Sequence, residues 1–453
     1  MEISHIAGAT ARTRVRYGIL LMIFIITTFN YADRATLSIT GTAMRKAFGI
    51  DPVQMGYIFS AFSWAYVLSQ LPSGWLLDRF GARRVYAASI FIWSFFTLLQ
   101  SSVGMMGSAA AVVALFVLRF AVGIAEAPAF PANGKVVASW FPTAERGTAS
   151  AVFNSAQYFA AVIFTPLMAW LTHAFGWQQV YVAMGIGGIA LAMIWLKVMR
   201  SPADHPRINQ AERDYIEQGG GVIHTPKKRS PHAAGDAANN PANPASLKRM
   251  RELLGNRMLL GVYLGQYCVN VLTYFFLTWF PLYLVQARGM SILQAGFVAS
   301  IPAICGFAGG VLGGVFSDAL IKRGYSLTMA RKIPIVGGML LSVTMIGCNY
   351  VSADWLVVCL MALAFFGKGI GALGWAVVAD TAPRDAIGLS GAIFNMFGNV
   401  AGIVTPIVIG YILSKTGSFD GALVFVGAHA LLTVFGYLVI VKDIKRVELR
   451  AAS

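Results

Sequence analysis

The chain has 453 residues, of which 57% are hydrophobic and only 12% are charged. A soluble domain of this length would carry about a quarter charged residues, so the composition excludes an ordinary soluble protein. A net charge of +16 would suggest a nucleic-acid partner in a soluble chain. Here the Lys and Arg residues lie in loops between apolar stretches, where they set membrane topology and do not indicate a nucleic-acid partner.

The apolar stretches are long enough to cross a membrane, which takes about 20 helical residues. The first stretch follows three arginines, but no small-residue cleavage site comes after it, so we interpret it as a retained helix and not as a signal peptide. Six spans precede a polar segment and six follow it, which predicts an all-α polytopic membrane protein. The predicted spans are 17–40, 53–76, 82–102, 109–131, 147–171, 177–198, 257–285, 293–319, 332–350, 355–379, 387–413 and 420–441.

Basic residues alternate between successive loops and predict the orientation. Loops 101–110 and 173–179 carry no Lys or Arg, whereas the flanking loops are rich in them. By the positive-inside rule, both termini and the central segment 199–256 are expected in the cytoplasm. Within that segment, 201–218 predicts one short amphipathic helix and 232–246 a tether rich in Ala, Asn and Pro. The basic segments are the N-terminus, 78–84, 199–256, 321–332 and 442–446.

No catalytic or cofactor motif is found. The string GKGIGALG (367–374) lies inside a span with no strand before it, which argues against nucleotide binding. All the cysteines fall in apolar spans without the spacing of metal ligands or of a disulfide framework, so no metal, cofactor or enzymatic activity is expected. The cysteines are Cys268, Cys305, Cys348 and Cys359.

An internal repeat with an offset of 240 residues relates the two groups of six spans. A constant offset over more than a hundred residues, including polar identities, is hard to obtain by chance. We therefore predict two pseudo-symmetric halves, 1–198 and 257–453, joined by the linker 199–256, as in transporters that rock about a central site. The matching pairs are Asn30 with Asn270, Gln54 with Gln294, Gly56 with Gly296, Ser60 with Ser300, Gly74 with Gly314, Asp78 with Asp318, and Thr165-Pro166 with Thr405-Pro406.

The loop after the second span carries the motif GWLLDRFGARR (74–84), and GGVFSDALIKRG (313–324) is a degenerate second copy. This motif resembles the loop signature of the major facilitator superfamily. The resemblance implies the major facilitator fold, with Gly74 allowing close helix contact, an acid that caps or pairs at a helix end, and arginines anchored at the inner leaflet. The loop residues concerned are Gly74, Asp78, Arg79, Gly81, Arg83, Arg84 and, in the second copy, Asp318.

Longer stretches sharpen the resemblance, namely NYADRATLSI (30–39), RFAVGIAEAPAFPA (119–132), WFPTAERGTASAVFNSAQY (140–158) and SPADHPR (201–207). They are similar to the anion:cation symporter branch of that superfamily, and most similar to its bacterial glucarate and galactarate transporters. The similarity covers the chain apart from 225–248. It implies proton-coupled uptake of sugar diacids by a monomer in the bacterial inner membrane, with lipid around it and no nucleic-acid or nucleotide partner. Glycerate or an aldonate remains an alternative substrate, and a non-transporting sensor is the alternative function.

Five ionisable residues lie at membrane depth: Asp33, Arg34, Arg119, Glu126 and Lys368. Unpaired, they would cost on the order of 10 kcal/mol, so they must pair or face water. We predict that Asp33 pairs with Arg119 and that Arg34 pairs with Glu126. Protonation of Glu126 would then free Arg34 for a substrate carboxylate, which makes Asp33, Glu126 and Arg119 the candidate proton-coupling residues. The alternative is that both pairs only hold helices together.

Lys368 lies among glycines and alanines in AFFGKGIGALGW (364–375), which leave room for a ligand. It either lines a cavity or extends to the membrane interface. In a cavity, Arg34 and Lys368 would supply one cation from each half for a ligand with a carboxylate at both ends. The candidate substrate-binding residues are Arg34, Tyr31, Tyr66, Gln157, Asn270, Tyr274, Lys368, Trp375, Asn395 and Asn399. The resemblance implies substrate contacts for four of them, Arg34, Tyr66, Gln157 and Asn399.

Overall fold

The computed structural model describes residues 12–221, 244–383 and 386–448, and the regular elements within these ranges are helices. Single turns of 3₁₀ helix cover Ser101–Met105 and Thr143–Glu145, a longer 3₁₀ segment covers Val343–Tyr350, and a π-helical turn covers Gly436–Val441. The α-helices are α1 (Val15–Phe48), α2 (Pro52–Phe80), α3 (Ala82–Gln100), α4 (Ser108–Glu126), α5 (Ala129–Trp140), α6 (Arg146–Phe175), α7 (Trp177–Val198), α8 (Gln210–Gln218), α9 (Pro244–Gly255), α10 (Arg257–Thr278), α11 (Phe280–Gln286), α12 (Ile292–Lys322), α13 (Leu327–Ser342), α14 (Asp354–Ile370), α15 (Gly374–Thr381), α16 (Ile387–Thr416) and α17 (Asp420–Phe435).

Eleven helical segments within the described ranges are long and apolar enough to span a membrane. The twelfth span is α2, which has 29 residues but carries Tyr, Trp, Ser and Gln among its apolar side chains. Helices α4 and α5 together form one span, and so do α14 and α15. The predicted all-α architecture of twelve spans is therefore confirmed.

The fourth and tenth spans are broken helices, although the sequence predicted them as continuous over 109–131 and 355–379. The first break falls at Ala127 and Pro128, because proline cannot donate the main-chain hydrogen bond that a continuing helix needs. The second break follows Ile370, at Gly371, where glycine makes a continuous helix less favourable. Glu126 is the last helical residue before the first break, and Lys368 lies in the last turn before the second.

The predicted offset of 240 residues recurs in the helix termini. Helix α2 begins with a capping box in which Asp51 and Gln54 exchange hydrogen bonds with each other's main chain. Helix α12 begins with the same device, formed by Ser291 and Gln294. A capping box satisfies two of the amide groups that a helix start leaves open, so the two matched positions fix the start of the second helix in each half.

The two groups of six spans contact each other most closely toward one face of the bundle. We call the face on which α1 begins and the last span ends the terminal face. The close contacts lie at the opposite face. A Cβ atom on Gly56 of α2 would lie 2.6 Å from the Pro406 carbonyl oxygen of α16, and one on Gly410 would lie 2.5 Å from the Pro52 carbonyl oxygen. Beside them, Arg45 Nη1 donates to Gln286 Oε1 at 2.7 Å. The transmembrane helices are therefore tightly closed at the opposite face.

On the terminal face, the segment 200–221 is docked against the N-terminal half through α8. Glu212 is fully buried and accepts hydrogen bonds from the Thr13 hydroxyl at 2.6 Å, the Val15 amide at 3.0 Å and Arg16 Nη1 at 2.9 Å. Arg16 also pairs with Glu145 at 3.1 Å, before the start of α6. The predicted amphipathic helix within 201–218 is thus present as α8, and it fastens the start of α1 to the start of α6.

His205 completes this docking, with its ring 5.4 Å from that of Trp140 in an edge-to-face contact. Burial of the imidazole, followed by the nearby charges of Arg200 and Arg207, lowers the pKa of His205 from its ordinary value. The docked segment therefore favours neutral His205.

Candidate functional site

The clearest contact among the charged residues of the membrane interior joins α1 to the end of α4. Arg34 Nε donates to Glu126 Oε2 at 2.9 Å, and the two side chains are 9% and 0% exposed. Glu126 is the last residue of α4, so its carboxylate faces the negative end of the helix dipole and depends on Arg34 for stabilisation. Arg34 Nη2 and Glu126 Oε1 have no hydrogen-bond partner within the described residues. The predicted pair is present, and its cation retains free donor capacity.

The second predicted ion pair is not formed. Asp33 points toward α3, where its Oδ1 accepts from the Thr97 hydroxyl at 2.9 Å. Arg119 donates to the main-chain carbonyls of Asp33 at 3.3 Å and Arg34 at 3.2 Å. The prediction of a direct Asp33–Arg119 ion pair is therefore wrong, because the Thr97 hydroxyl on α3 binds the carboxylate and main-chain carbonyls of α1 bind the guanidinium. Both side chains are nevertheless buried, at 1% and 3% exposed.

Three aromatic rings surround the guanidinium of Arg34. Its Cζ lies 5.0 Å from the centroid of Tyr31, 4.6 Å from that of Phe62 and 5.0 Å from that of Tyr66. Aromatic faces attract a cation without occupying its N–H groups. They offset part of the cost of burying Arg34 and leave its donors free for an anion. Of the three rings, sequence reasoning predicted Tyr31 and Tyr66 and missed Phe62.

Lys368 occupies a comparable place in the C-terminal half. It lies in the last turn of α14, just before the break in the tenth span, and is 5% exposed. A cation at this end of a helix interacts favourably with the dipole. Its ammonium forms no hydrogen bond or salt bridge with the residues that the structure describes, but lies 5.0 Å from the ring centroid of Phe365 and 6.0 Å from that of Tyr158. Because Tyr158 belongs to α6, Lys368 lies at the interface between the halves and not at the membrane surface.

The two cations lie at similar distances along their helices from the helix ends at the opposite face. Arg34 is fourteen residues before the end of α1 at Phe48, and Lys368 is fourteen residues after the start of α14 at Asp354. At 1.5 Å per residue, each lies about 21 Å along its helix from the opposite face. Tyr274 of α10, in the C-terminal half, is near enough to Arg34 to influence it electrostatically.

Amides and a tyrosine of the C-terminal half form a polar group around the same interface. Tyr274 donates to Asn399 Oδ1 at 3.1 Å, and Asn399 Nδ2 donates to the Asn395 carbonyl at 2.8 Å. Asn270 Oδ1 accepts from Gln266 at 3.3 Å. Gln266 was not predicted, although its position four residues before Asn270 puts it on the same helix face. These groups can bind hydroxyl groups of a ligand.

The two remaining candidates make no hydrogen bond to this polar group within the described residues. Gln157 of α6 is half-buried and donates to the main-chain carbonyl of Asn154 at 3.2 Å. Trp375 is 56% exposed and packs edge-on against Phe394, 4.9 Å between centroids. No contact in the described residues joins Trp375 to either cation.

The loop motif after α2 forms contacts at the terminal face. Asp78 pairs with Lys135 of α5, and Gly81 has a φ of 79°, a backbone conformation that favours glycine between α2 and α3. The space beside Gly74 is open, so the expectation that it allows a close helix contact is wrong in this conformation.

The arginines of the motif and its second copy are also on this face. Arg83 donates to the Leu196 carbonyl at 2.6 Å, and Arg79 lies over the ring of Trp75 at 5.2 Å. Arg84 is exposed. In the second copy, Asp318 lies 3.6 Å from Arg331, which binds Asp380 more closely, at 2.9 Å.

A family model described as the Major Facilitator Superfamily matches residues 23–330. The chain is 61% identical over 449 residues to the "Probable galactarate/D-glucarate transporter GudP" of Bacillus subtilis (strain 168), which covers 99% of this chain and 97% of that protein. It is 42% identical over 436 residues to the "D-galactonate transporter" of Escherichia coli O6:H1, with 96% of this chain and 97% of that protein covered.

Among solved structures, the fold is similar to that of a bacterial homolog of the human lysosomal transporter Spinster in an inward-facing and unoccupied conformation. The TM-score is 0.70 at 17% sequence identity, and the match covers 95% of each chain. At this identity the likeness shows the fold alone. The chain therefore belongs to the Major Facilitator Superfamily, and it is a polytopic membrane transporter and not an enzyme.

Proposed function

We propose that the protein takes up six-carbon sugar diacids, galactarate and D-glucarate, together with protons. The observation that carries this proposal is the presence of two cations with little solvent exposure, Arg34 and Lys368, one in each half and each about 21 Å along its helix from the helix end at the opposite face. A dicarboxylate offers one carboxylate for each cation, whereas a ligand with one carboxylate can neutralise only one of them. The relatives named as galactarate/D-glucarate transporters support this substrate class.

Proton coupling follows from competition for Arg34. Glu126 holds Arg34 in the empty carrier, so a substrate carboxylate must displace it. Protonation of Glu126 removes the competing charge, and a bound anion in turn favours the protonated acid, since coupling between two ligands is reciprocal. Asp33 accepts a hydrogen bond from Thr97 of α3, and Arg119 of α4 donates to the main-chain carbonyls of Asp33 and Arg34. These contacts fix the turn of α1 that carries Arg34.

The orientation follows from charge. The basic loops, both termini and the docked segment 200–221 face the cytoplasm of a bacterium, and the closed opposite face is periplasmic. In this conformation the helices are packed closely at the periplasmic face, at Gly56 and Gly410. Labelling of a cysteine at position 240 by an impermeant reagent in intact cells would contradict this orientation.

A substrate panel on the purified carrier tests the substrate class. Lys368→Met keeps the side-chain length and removes the charge. We expect galactarate affinity to fall by about 10- to 150-fold, the worth of a hydrogen bond to a charged group, while galactonate affinity changes much less. Lys415→Met, at an exposed position at the end of α16, is the matched control and should leave both affinities unchanged. Equal losses for both ligands would show that Lys368 is structural.

A second candidate substrate is an aldonate such as galactonate, which is favoured by the 42% identity to the D-galactonate transporter. The panel separates the two possibilities. A monoacid substrate should bind the unmodified carrier more tightly than the diacid and should be insensitive to Lys368→Met.

A further inference from the structure

We propose that Tyr158, in the N-terminal half, positions the ammonium of Lys368 across the interface and so determines the preference for diacids over monoacids. The inference rests on the proposed function and assigns a role to a residue that sequence reasoning did not single out. Its basis is the electrostatic environment of Lys368, which has no counter-ion within the part of the chain that the structure describes.

A buried ammonium without a partner is costly, because few solvent or protein groups replace the water it has lost. Lys368 is 5% exposed, and its ammonium forms no ion pair or hydrogen bond with the described residues. What it has instead is the faces of two aromatic rings, Phe365 at 5.0 Å and Tyr158 at 6.0 Å. The ring quadrupoles attract the charge and leave all three N–H groups available. The ammonium is therefore positioned by the two rings while its N–H groups stay free to donate to a substrate carboxylate.

The two rings differ in whether their contact with Lys368 depends on the arrangement of the two halves. Phe365 lies three residues before Lys368 on α14 and packs against Phe276, 4.3 Å between ring centroids. Its contact with the ammonium is therefore independent of how the two halves are placed relative to each other. Tyr158 comes from α6 of the other half, so its contact with Lys368 depends on how the halves are placed.

Tyr158 is itself held at the interface. Its ring lies 5.7 Å from that of Phe307 on α12, and its hydroxyl lies 3.9 Å from the position a Cβ on Gly310 would take. On its own half, Tyr158 is an electrostatic neighbour of Tyr31, whose ring lies against Arg34. Each cation therefore has a tyrosine of the N-terminal half beside it, Tyr31 at Arg34 and Tyr158 at Lys368. A diacid that bridges the two cations would place one carboxylate beside each of these cation–tyrosine pairs.

The test measures dissociation constants for galactarate and galactonate with variants of the purified full-length carrier. Tyr158→Leu removes the quadrupole, and we expect galactarate affinity to fall by about 3- to 30-fold while galactonate affinity changes by less than about twofold. Tyr158→Phe keeps the ring and should preserve both affinities. In the Lys368→Met background, Tyr158→Leu should have no further effect on galactarate, because its target charge is gone.

A shape-conserving variant covers the case in which Tyr158→Leu does not fold. Trifluorophenylalanine at position 158 keeps the ring but weakens its quadrupole, and it should lower galactarate affinity relative to Tyr158→Phe. Parallel losses for both ligands, or an undiminished effect of Tyr158→Leu in the Lys368→Met background, would overturn the inference alone. A wild-type carrier that binds neither galactarate nor D-glucarate would overturn the proposed function, and this inference with it.

Discussion

Replacing Glu126 by Gln should separate substrate binding from proton coupling. The variant keeps the shape of the side chain and removes the charge that holds Arg34. In the structure, one charge-assisted hydrogen bond of 2.9 Å joins the two residues, and the carboxylate is fully buried. An interaction of this kind is worth about 1.5–3 kcal/mol, so a substrate that no longer competes with it should bind about 10- to 150-fold more tightly at pH 7.5.

Two assays on the same proteoliposomes distinguish the consequences. In counterflow, external labelled galactarate exchanges for unlabelled galactarate inside, and Glu126→Gln should retain this exchange. In gradient-driven uptake, an inward proton gradient should drive accumulation by the wild-type carrier but not by Glu126→Gln, because the carboxylate that we propose as the proton acceptor is gone. Asp33→Asn should impair accumulation likewise.

Glu217→Gln is the matched control, since Glu217 is exposed on α8 and its side chain makes no hydrogen bond to the described residues. It should behave as wild type in both assays. Uphill accumulation by Glu126→Gln at the wild-type level would refute the reasoning, and so would a diacid affinity that does not rise when the charge is removed.

Three further outcomes follow from contacts outside the site. Glu212→Ala removes a buried acid from Arg16 and should release α8 at a cost of about 3–5 kcal/mol, seen as faster hydrogen exchange over 205–218; unchanged exchange would contradict the docking. Because the pKa of His205 is lowered in the folded protein, the docked segment is more stable when His205 is neutral. Docking should therefore weaken as the pH falls below about 6.5, and hydrogen exchange over 205–218 at pH 5 and pH 7.5 measures this. Gly410→Leu places a side chain against the main chain of α2 and should widen the opposite face in spin-label distance measurements; Gly337→Leu, where nothing lies within 4 Å, should not.

The fold could be predicted from sequence because its determinants are periodic and cumulative. Twelve apolar stretches, alternating basic loops and a constant offset of 240 residues all report the same arrangement. The breaks after Glu126 and Lys368 were not predicted, since hydropathy registers apolar length and not the continuity of main-chain hydrogen bonds. Pro128 was the available signal for the first break.

The site was only partly predictable for a different reason. Spacing indicated which charged residues share a helix face, and this was sufficient for Arg34 and Glu126. It could not show that Asp33 turns toward Thr97, because a neutral hydroxyl on another helix leaves no charge pattern. Tyr158 was missed likewise, since an aromatic residue in a span more often packs against other helices than against a cation.

The central claim is that diacid movement is coupled to protons, and uptake of labelled galactarate by right-side-out membrane vesicles tests it most directly. With an inward proton gradient, the account predicts accumulation above the external concentration, by about tenfold per pH unit for each coupled proton, and its collapse when a protonophore is added. Uptake that only reaches the external concentration, or that is unaffected by the protonophore, would contradict the account.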